Sequence, residues 1–367
     1  MSTLGLATNG PYPMSAHHAL IQSCLPRRVL GRTRLQVSEL GLGAASFGNL
    51  YRPMSDAEAQ ATLAAAFNEG ISYVDCAPYY GFGLSEQRVG DGLKGREGIV
   101  VSTKVGRLLE PAPEVSDDSE RFGFRSARPF TPVFDYSYDG VMQSWESSLQ
   151  RLGVARIDML YVHDIGRATH GHRHPERLQE LIHGGGLRAL AKLRAEGQID
   201  AIGIGVNEVQ VCLELLEETD LDVILLAGRY TLLEQKPLDA LFPECARRGT
   251  SIVVGGPYNS GILATGTGSD VVPRFNYEVA ATEVVFRVRR LERVCREFNV
   301  PLPAAALQFP LAHPQVASVI PGLGAPEQVE QTLTFYRARI PAEFWQELRS
   351  QNLIHEAAPL PVAKNPA

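Results

Sequence analysis

Four polar side chains at or just after the ends of predicted strands could together carry out proton transfer. Asp75, Lys104 and His163 each end a short apolar run that favours a strand, and Tyr80 lies five residues after Asp75 in a turn marked by Pro and Gly. The carboxyl ends of parallel strands lie on one rim of a barrel, so we expect the four side chains to lie close together. A carboxylate buried at such a rim needs a partner, which a neighbouring strand end would supply.

These four residue types fit one chemistry. A free tyrosine has a pKa of about 10, which is too high for efficient proton exchange near neutral pH. The Lys104 ammonium would lower the pKa of Tyr80, and Asp75 would keep Lys104 charged and in place. With His163 orienting the reacting oxygen, Tyr80 would act as general acid toward a carbonyl or as general base toward an alcohol. No side chain carries hydride, so redox chemistry here would require a nicotinamide cofactor.

Each of the four residues also has a plain structural interpretation. Asp75 could cap a helix, Tyr80 could be a half-buried aromatic residue, and Lys104 could be a solvated strand end. A single histidine such as His163 is more often a core residue with satisfied hydrogen bonds than a functional one. Their joint placement at three successive strand ends is what favours the functional interpretation.

Six motifs follow one another between about residues 28 and 333. They are Asp75-x-Ala77-x-x-Tyr80-Gly81 with Ser85-Glu86, Ser102-Thr103-Lys104, Ser148-Leu149-x-Arg151-Leu152-Gly153, Ile157-Asp158-x-Leu160-x-Val162-His163-Asp164, Gly205-Val206-Asn207 and Ile320-Pro321-Gly322. In this order they resemble the aldo-keto reductase superfamily. The resemblance implies a catalytic tetrad of Asp, Tyr, Lys and His, which falls on Asp75, Tyr80, Lys104 and His163.

The elements that must position these residues alternate between strand and helix about eight times, with no linker between them. The alternation favours an α/β fold, a parallel (β/α)8 TIM barrel over residues 27–355. Residues 28–38 are predicted to form an N-terminal hairpin, which the resemblance places at the bottom of the barrel, and residues 341–353 an added C-terminal helix. We expect a flexible N-terminal tail over residues 1–26 and a C-terminal tail over residues 356–367.

An open doubly wound sheet is the alternative fold. It would carry a glycine-rich dinucleotide motif after its first strand, and Gly41-Leu42-Gly43 is only a fragment of that motif. Two helices have clear signals. Ser55 and Glu58 form a capping-box pattern before a helix that should end at Gly70, and residues 278–298 are predicted to be another helix.

Composition limits the classes of function. The chain has 367 residues, 44% hydrophobic and 21% charged, with a formal net charge of −6, which argues against nucleic acid or an anionic membrane as partner. No apolar run reaches about 18 residues, so no membrane span is expected. The five cysteines are far apart and form no C-x-x-C pair, which favours a reduced, cytoplasmic setting. With nucleic acid and membranes disfavoured, we expect the partner to be a small-molecule substrate. The sequence does not indicate an oligomeric state.

Two loops leave the predicted rim. Residues 105–136 are long and rich in Pro, Gly, Asp and Ser, and we expect either a substrate lid or a plain insertion. His170, His172 and His174 stand two apart, a spacing that suggests Zn²⁺. Arg173 between them opposes a cation, so no metal site is predicted and the loop is expected to be solvated or to line the substrate.

The cofactor residues follow from the resemblance, with departures. Asn207 at the fifth strand end would bind the nicotinamide carboxamide, although it could equally cap the next helix. Relatives often place Gln on the sixth strand and an aromatic residue at the end of the seventh. Here the sixth strand is followed by Arg229-Tyr230 and the seventh strand by the sequence Gly255, Gly256, Pro257, Tyr258, Asn259, Ser260, Gly261. Tyr230 or Tyr258 would have to replace the usual clamp and stacking partner.

The same segments indicate a branch of the superfamily. Residues 227–235 and 255–261 resemble bacterial enzymes that oxidise free sugars or pyridoxal. The resemblance implies oxidation of an aldose (L-fucose, D-galactose or D-threo-aldose type) at its hemiacetal carbon to a lactone. The alternatives are a pyridoxal 4-dehydrogenase that forms 4-pyridoxolactone, a general NAD(P)-dependent aldehyde or ketone reductase, and, from other classes, a non-catalytic cofactor sensor or a metal-dependent hydrolase.

Two uncharged positions bear on the choice of nicotinamide. NADP-dependent relatives usually have a cation just after Pro321 and an Arg six residues later, and these bind the 2′-phosphate. Here the positions hold Gly322 and Gln328, with the acidic Glu327 beside them, so NAD is predicted rather than NADP. The alternative is that Gly322 is merely a turn glycine and that a later arginine, Arg337 or Arg339, reaches back.

Overall fold

The computed structural model describes residues 25–115, 118–268 and 272–362. Most of the predicted N-terminal tail, residues 1–24, and the end of the predicted C-terminal tail, residues 363–367, lie outside the described residues. Within the described part of the C-terminal tail, Ala358 is buried and its carbonyl accepts a hydrogen bond from Arg349 Nη2 at 2.5 Å. No helix among the described residues is long and apolar enough to cross a membrane.

Eight parallel strands form the barrel. They are β3 (Leu42–Gly43), β4 (Tyr73–Asp75), β5 (Val100–Val105), β10 (Met159–His163), β11 (Ala201–Val206), β12 (Val223–Ala227), β13 (Ser251–Gly255) and β16 (Val316–Ile320). Each pairs in parallel with the next in this order, and bridges from Leu40 to Val319 and from Gly43 to Gly322 join the first strand to the last. The predicted (β/α)8 barrel is confirmed, and the open doubly wound sheet is wrong.

Helices cover the outside of the barrel. They are α1 (Asp56–Asn68), α2 (Leu84–Leu93), α3 (Tyr138–Leu152), α4 (Arg167–His170), α5 (His174–Ile182), α6 (Gly186–Ala195), α7 (Gln210–Glu218), α8 (Leu241–Arg248), α9 (Ile262–Thr265), α10 (Thr282–Glu297), α11 (Leu302–Gln308), α12 (Pro326–Arg337) and α13 (Ala342–Ser350). The predicted capping box starts α1, since Ser55 Oγ accepts from the Glu58 amide and the Glu58 carboxylate accepts from the Ser55 amide. The predicted C-terminal helix is α13.

The interior of the barrel is a small core of its own. Tyr73, Met159 and Tyr161 point inward from β4 and β10 and are fully buried. The N-terminal hairpin, β1 (Arg27–Val29) with β2 (Gln36–Ser38), contributes Val37 and the adjoining Leu30 to the same cluster. The hairpin therefore closes the barrel at the end opposite the carboxyl ends of the strands, as predicted.

Two segments that the sequence did not resolve are β-hairpin insertions at the rim. The described residues between 105 and 136 form two antiparallel ribbons, β6 (Arg107–Pro111) with β9 (Phe130–Phe134), and β7 (Glu120–Arg121) with β8 (Phe124–Arg125). A further hairpin, β14 (Arg274–Phe275) with β15 (Glu278–Val279), precedes α10. The helix predicted over 278–298 therefore begins only at Thr282. Both short hairpins turn through two residues with positive φ, Phe122-Gly123 and Asn276-Tyr277, the backbone of a two-residue β-hairpin turn.

Candidate active site

The four residues predicted to act together converge at the rim. Asp75 ends β4, Lys104 lies in β5, His163 ends β10, and Tyr80 follows β4 in a turn. The parallel register places Asp75 beside Ser102, two residues before Lys104, and this brings both charges to one level of the barrel. Tyr80, Lys104 and His163 line one cavity of about 700 Å³, called here the rim cavity, while Asp75 lies beneath Lys104.

Asp75 and Lys104 form a buried ion pair. Lys104 Nζ lies 2.6 Å from Asp75 Oδ2 and also donates to the Cys76 carbonyl at 2.8 Å, and both side chains are almost fully buried. Burial raises the pKa of Asp75, an effect that the Lys104 charge opposes. Burial alone would lower the pKa of Lys104, but Asp75 and Tyr80 raise it above its usual value, so Lys104 stays charged.

A chain of hydroxyls orients the Asp75 carboxylate from inside the barrel. Ser102 Oγ donates to Asp75 Oδ1 at 2.7 Å, and because a hydroxyl has only one proton, Tyr73 must donate to Ser102 across 3.0 Å. By the same reasoning Tyr161 donates to Tyr73 across 3.1 Å. Both Asp75 oxygens are thus held, and Oδ2 remains directed at Lys104.

Tyr80 lies over the ion pair, with Lys104 Nζ 4.7 Å from the centroid of its ring. The sequence predicted that Lys104 would bring the pKa of Tyr80 below its ordinary value. Burial instead raises this pKa to about 12, because the loss of hydration outweighs the opposing Lys104 charge. The prediction was right about the direction of the lysine effect and wrong about the net result. Tyr80 is therefore a protonated phenol at neutral pH.

His163 is neutral and faces Tyr80. The two ring centroids are 6.0 Å apart in an edge-on arrangement, and burial together with the Arg107 and Lys104 charges lowers the pKa of His163 well below its usual value. Nε2 lies 3.4 Å from Asp164 Oδ2, while the buried Nδ1 has no hydrogen-bond partner among the described residues. A neutral imidazole at this place can hydrogen-bond a substrate oxygen without adding charge.

The rest of the rim cavity combines rings and polar groups. Aromatic side chains come from the turn after β4, the segment after β3 and the hairpin tips, and polar ones from the strand ends. The residues that line it include Tyr51, Tyr79, Phe122, Phe124, Tyr277, Arg107, Glu120, Arg125, Asp164, Asn207 and Arg274. Sequence reasoning missed Arg107 and Tyr277, since both belong to hairpins that had no periodic pattern.

The predicted cofactor residues lie along the ends of the fifth to seventh barrel strands. Asn207 lines the rim cavity, where its Nδ2 donates to the Ala227 carbonyl at 3.2 Å and lies 3.4 Å from the Tyr277 hydroxyl. It does not cap α7, whose preceding residue is Val209, so the helix-cap alternative is wrong. Gly255 ends β13 beside Ala227, and a Cβ on Gly256 would meet no atom closer than 3.8 Å. The space at Gly256, on the same rim as the Asn207 side-chain amide, fits a nicotinamide.

The loop after Gly256 is tied to the β14–β15 hairpin. Ser260 Oγ accepts from the Tyr277 amide at 2.9 Å, Pro257 is buried, and Gly261 precedes α9 with φ of 102°. Tyr277, at the tip of this hairpin, is therefore the aromatic side chain that reaches the proposed nicotinamide region.

The two tyrosines expected to replace the usual clamp lie elsewhere. Tyr230 is fully buried outside the barrel, with ring centroids 4.6 Å from Phe242 and 5.4 Å from Phe309, so its predicted role is wrong. Tyr258 packs against the same outer core and does not line the rim cavity. The chain turns out of the strand direction after Ala227 and Gly255, and the turn aims these rings outward.

The turn expected to hold the adenosine end has no cation at either predicted position. Gly322 is exposed and without positive φ, and a Cβ there would meet no atom within 4 Å. Gln328 Oε1 accepts from the Gly324 amide at 2.7 Å. Since Gly322 does not need a glycine backbone, the turn-glycine alternative loses its basis.

Two arginines lie near α12 in different ways. Arg337 pairs with Glu69 at 3.3 Å at the opposite end of the helix from Gln328, so it does not reach back as the alternative required. Arg52, which the sequence did not single out, donates to the Gly324 carbonyl at 2.8 Å and lies 3.9 Å from Glu58. Arg52 is the nearest cation to this turn for which the structure records a contact.

Two of the three histidines that suggested a metal are bonded to separate partners. His170 Nε2 lies 2.9 Å from the Tyr136 hydroxyl, and His174 contacts Glu214 at 2.7 Å and the Ile165 carbonyl at 2.9 Å. The described residues contain no group of three His, Cys, Asp or Glu side chains that could hold a metal ion.

Comparison with known proteins gives one family. The pattern described as "Aldo/keto reductase family" matches residues 39–352. A pyridoxal 4-dehydrogenase of Microbacterium luteolum is 48% identical over 89% of this chain and 98% of its own length. A D-threo-aldose 1-dehydrogenase of a Pseudomonas species is 42% identical over 87% of this chain and 95% of its own. Among solved structures, the holo form of an aldo-keto reductase from Bacillus halodurans superposes with a TM-score of 0.69 at 28% identity, over 91% of this chain and 98% of that one.

Proposed function

The chain belongs to the aldo/keto reductase family and is a nicotinamide-dependent oxidoreductase, and from this premise we propose that it oxidises the hydroxyl of a cyclic hemiacetal to a lactone. The observation that carries the proposal is the arrangement of Tyr80 over the buried Asp75–Lys104 pair, beside a neutral His163, in one cavity. A phenol, a fixed cation and a neutral imidazole are what proton transfer at a hydroxyl or carbonyl requires.

Each side chain has a role in this reaction. Tyr80 takes the hydroxyl proton, Lys104 stabilises the phenolate that accepts it, and Asp75 holds Lys104 in place. His163 donates a hydrogen bond to the reacting oxygen, whose one proton goes to Tyr80, and so fixes its position. A bound nicotinamide would supply the hydride acceptor, and the predicted residues that would hold it are Asn207, Gly255, Gly256, Pro257, Ser260, Gly261, Gly322 and Gln328.

NAD is the proposed cofactor rather than NADP. A 2′-phosphate needs cationic hydrogen-bond donors, and Gly322 and Gln328 supply none. The Gln328 carbonyl oxygen already binds the Gly324 amide, and Glu327 would repel a dianion. The guanidinium of Arg52 is engaged by Gly324 and Glu58.

Aldoses are the first substrate candidates, with L-fucose, D-galactose and D-threo-aldoses as the specific examples. The polar part of the rim cavity, which includes Arg107, Asp164 and Asn207, suits a molecule with several hydroxyls. Pyridoxal is the second candidate, because Tyr51, Phe122 and Phe124 give the cavity an aromatic side and the 48% identical relative is a pyridoxal 4-dehydrogenase. General reduction of aldehydes or ketones would use the same groups in reverse.

The setting we propose is the cytoplasm. The cysteines among the described residues, Cys76, Cys212, Cys245 and Cys295, are free thiols, as in a reducing compartment.

A substrate panel tests the proposal. The purified protein is incubated with NAD⁺ or NADP⁺ and with L-fucose, D-galactose, a D-threo-aldose or pyridoxal, and reduced cofactor is followed by absorbance. Turnover of an aldose supports the first candidate, and turnover of pyridoxal without any aldose replaces it by the second. The absence of turnover with every one of these substrates, with either cofactor, contradicts the proposal.

A further inference from the structure

A second ion pair lies in the wall of the rim cavity beside His163. Arg107, the first residue of β6, places Nη2 2.5 Å from Oδ2 of Asp164, the residue that follows β10. The Arg107 side chain is 8% exposed and that of Asp164 is 21% exposed, and both line the cavity. The roles assigned above to Tyr80, Lys104 and Asp75 do not require this pair.

The pair is held rigidly. The Arg107 guanidinium lies 3.9 Å from the centroid of the Tyr79 ring and 4.9 Å from that of Phe134, within the range of cation–π attraction. Asp164 has φ of 47°, an unusual backbone for a residue other than glycine, and its amide donates to the Gly205 carbonyl at 3.0 Å. Such a conformation persists only where the surroundings enforce it, and here it aims the carboxylate along the wall.

The pair keeps hydrogen-bonding capacity that the described residues do not use. The recorded contacts of the Asp164 side chain, to Arg107 and to His163, both involve Oδ2, which leaves Oδ1 as an acceptor. Among the described residues the Arg107 guanidinium interacts with Asp164 and with the Tyr79 side chain, and its Nε is buried without a partner. Charged groups held in a cavity wall with unused donors and acceptors are suited to a polar ligand.

The position of the pair tells which part of a substrate it would meet. His163 Nε2 is 3.4 Å from Asp164 Oδ2, and the His163 and Tyr80 ring centroids are 6.0 Å apart. A substrate oxygen held between Tyr80 and His163 would thus lie close to the Arg107–Asp164 pair, within reach of a neighbouring substituent of the substrate.

We propose that the Arg107–Asp164 pair binds the hydroxyl on the carbon next to the reacting carbon and so determines which substrates are accepted. In an aldose this group is the C2 hydroxyl, which donates to Asp164 and accepts from Arg107. In pyridoxal the corresponding group is one carbon further away: it is the ring hydroxyl on the carbon adjacent to the one that bears the aldehyde, and Arg107 would bind its oxygen. This assignment rests on the function proposed above.

The test compares two substrates that differ at this hydroxyl alone. The wild type is assayed for kcat/KM with D-galactose and with 2-deoxy-D-galactose, or, if only pyridoxal is turned over, with pyridoxal and its analogue without the ring hydroxyl. A hydrogen bond to a charged group predicts a preference of about tenfold or more for the hydroxylated substrate. A wild-type ratio near one overturns the inference whether or not any variant folds.

Variants then assign the preference to the pair. Arg107→Met should reduce the ratio toward one by lowering kcat/KM for the hydroxylated substrate far more than for its deoxy analogue. Asp164→Asn should do the same, and asparagine tolerates the positive φ at this position. Arg125→Met removes a different ion pair of the cavity, 3.4 Å from Glu120 and half exposed, and should leave the ratio unchanged.

The outcomes separate this inference from the proposed function. Equal losses on both substrates in Arg107→Met and Asp164→Asn would show that the pair only supports His163, and the inference would be wrong while the proposed function stands. A wild type that turns over neither an aldose nor pyridoxal contradicts both. A ratio that falls in the two variants but not in Arg125→Met supports the inference.

Discussion

Replacing Gly322 by lysine should convert the turn before α12 into a site for the 2′-phosphate of NADP⁺. A side chain fits there without strain, since a Cβ would meet no atom within 4 Å and the backbone is not in the left-handed region. A charge-assisted hydrogen bond contributes about 1.5–3 kcal/mol. Gly322 is exposed, so screening by solvent places the expected gain just below this range, at about 1.4 kcal/mol or a tenfold tighter Kd for NADP⁺.

Isothermal titration of the protein with NADP⁺ and with NAD⁺ measures this gain without relying on turnover. The matched control is Gly322→Met, which adds a side chain of similar length without charge and should change both affinities equally. The gain in Gly322→Lys should also shrink when the salt concentration is raised, because the contact is exposed. Gln328→Arg should gain less, because it loses the bond from the Gly324 amide to Gln328 Oε1.

Two results would refute this reasoning. The first is a wild type that already binds NADP⁺ tenfold more tightly than NAD⁺ and loses that preference in Arg52→Ala, which would identify Arg52 as a phosphate ligand despite its bonds to Gly324 and Glu58. The second is an equal change in NADP⁺ affinity for Gly322→Lys and Gly322→Met, which would show that the lysine charge does not reach the phosphate.

Three further predictions concern the tetrad. Tyr80→Phe should keep the melting temperature and lower kcat by about 10²- to 10⁴-fold, and a fully active variant would exclude Tyr80 as the proton-transfer group. Burial raises the pKa of Tyr80 to about 12 and oxidation needs the phenolate, so kcat/KM for oxidation should rise steadily as the pH rises on the alkaline side. His163 should add no step between pH 5 and 8, because its pKa is lowered well below its usual value. A profile that falls above pH 8 in a stable enzyme would contradict this. Lys104→Met should lower the free energy of unfolding, measured in urea, by about 3–5 kcal/mol, because it leaves Asp75 buried and unpaired. Adding Asp75→Asn to the same chain should restore part of this loss. If the losses of the two single variants simply add in the double variant, Lys104 and Asp75 are not a coupled pair.

The barrel and the clustering of Asp75, Tyr80, Lys104 and His163 at one rim could be predicted from the sequence for related reasons. Repeated strand and helix patterns require a parallel sheet, and a parallel sheet brings strand-end residues such as Asp75 and Lys104 to one rim regardless of their distance in sequence. The net pKa of Tyr80 could not be predicted, because it depends on how completely the folded rim excludes water from the phenol.

The hairpin insertions were not predictable for a different reason. Tyr277 lies in a turn between strands of two residues, which are too short to show a period, and the five-residue strand β6 that begins at Arg107 shows no regular alternation, so nothing marked either residue as one that would reach the cavity. The error at Tyr230 arose where the chain leaves the strand, since the alternation that fixes side-chain direction ends there.

The hydroxyl chain inside the barrel has a consequence for the way in which this protein can change over time. Tyr161, Tyr73 and Ser102 pass hydrogen bonds in one direction to Asp75, and each is fully buried. Loss of one hydroxyl leaves its neighbour unsatisfied in an apolar interior, whereas joint replacement by apolar residues of similar shape removes the problem together with the support for Asp75. Substitutions at these three positions should therefore occur together during evolution. The residues inside the barrel should be substituted more slowly than would be expected for a core that is held together by apolar contacts alone.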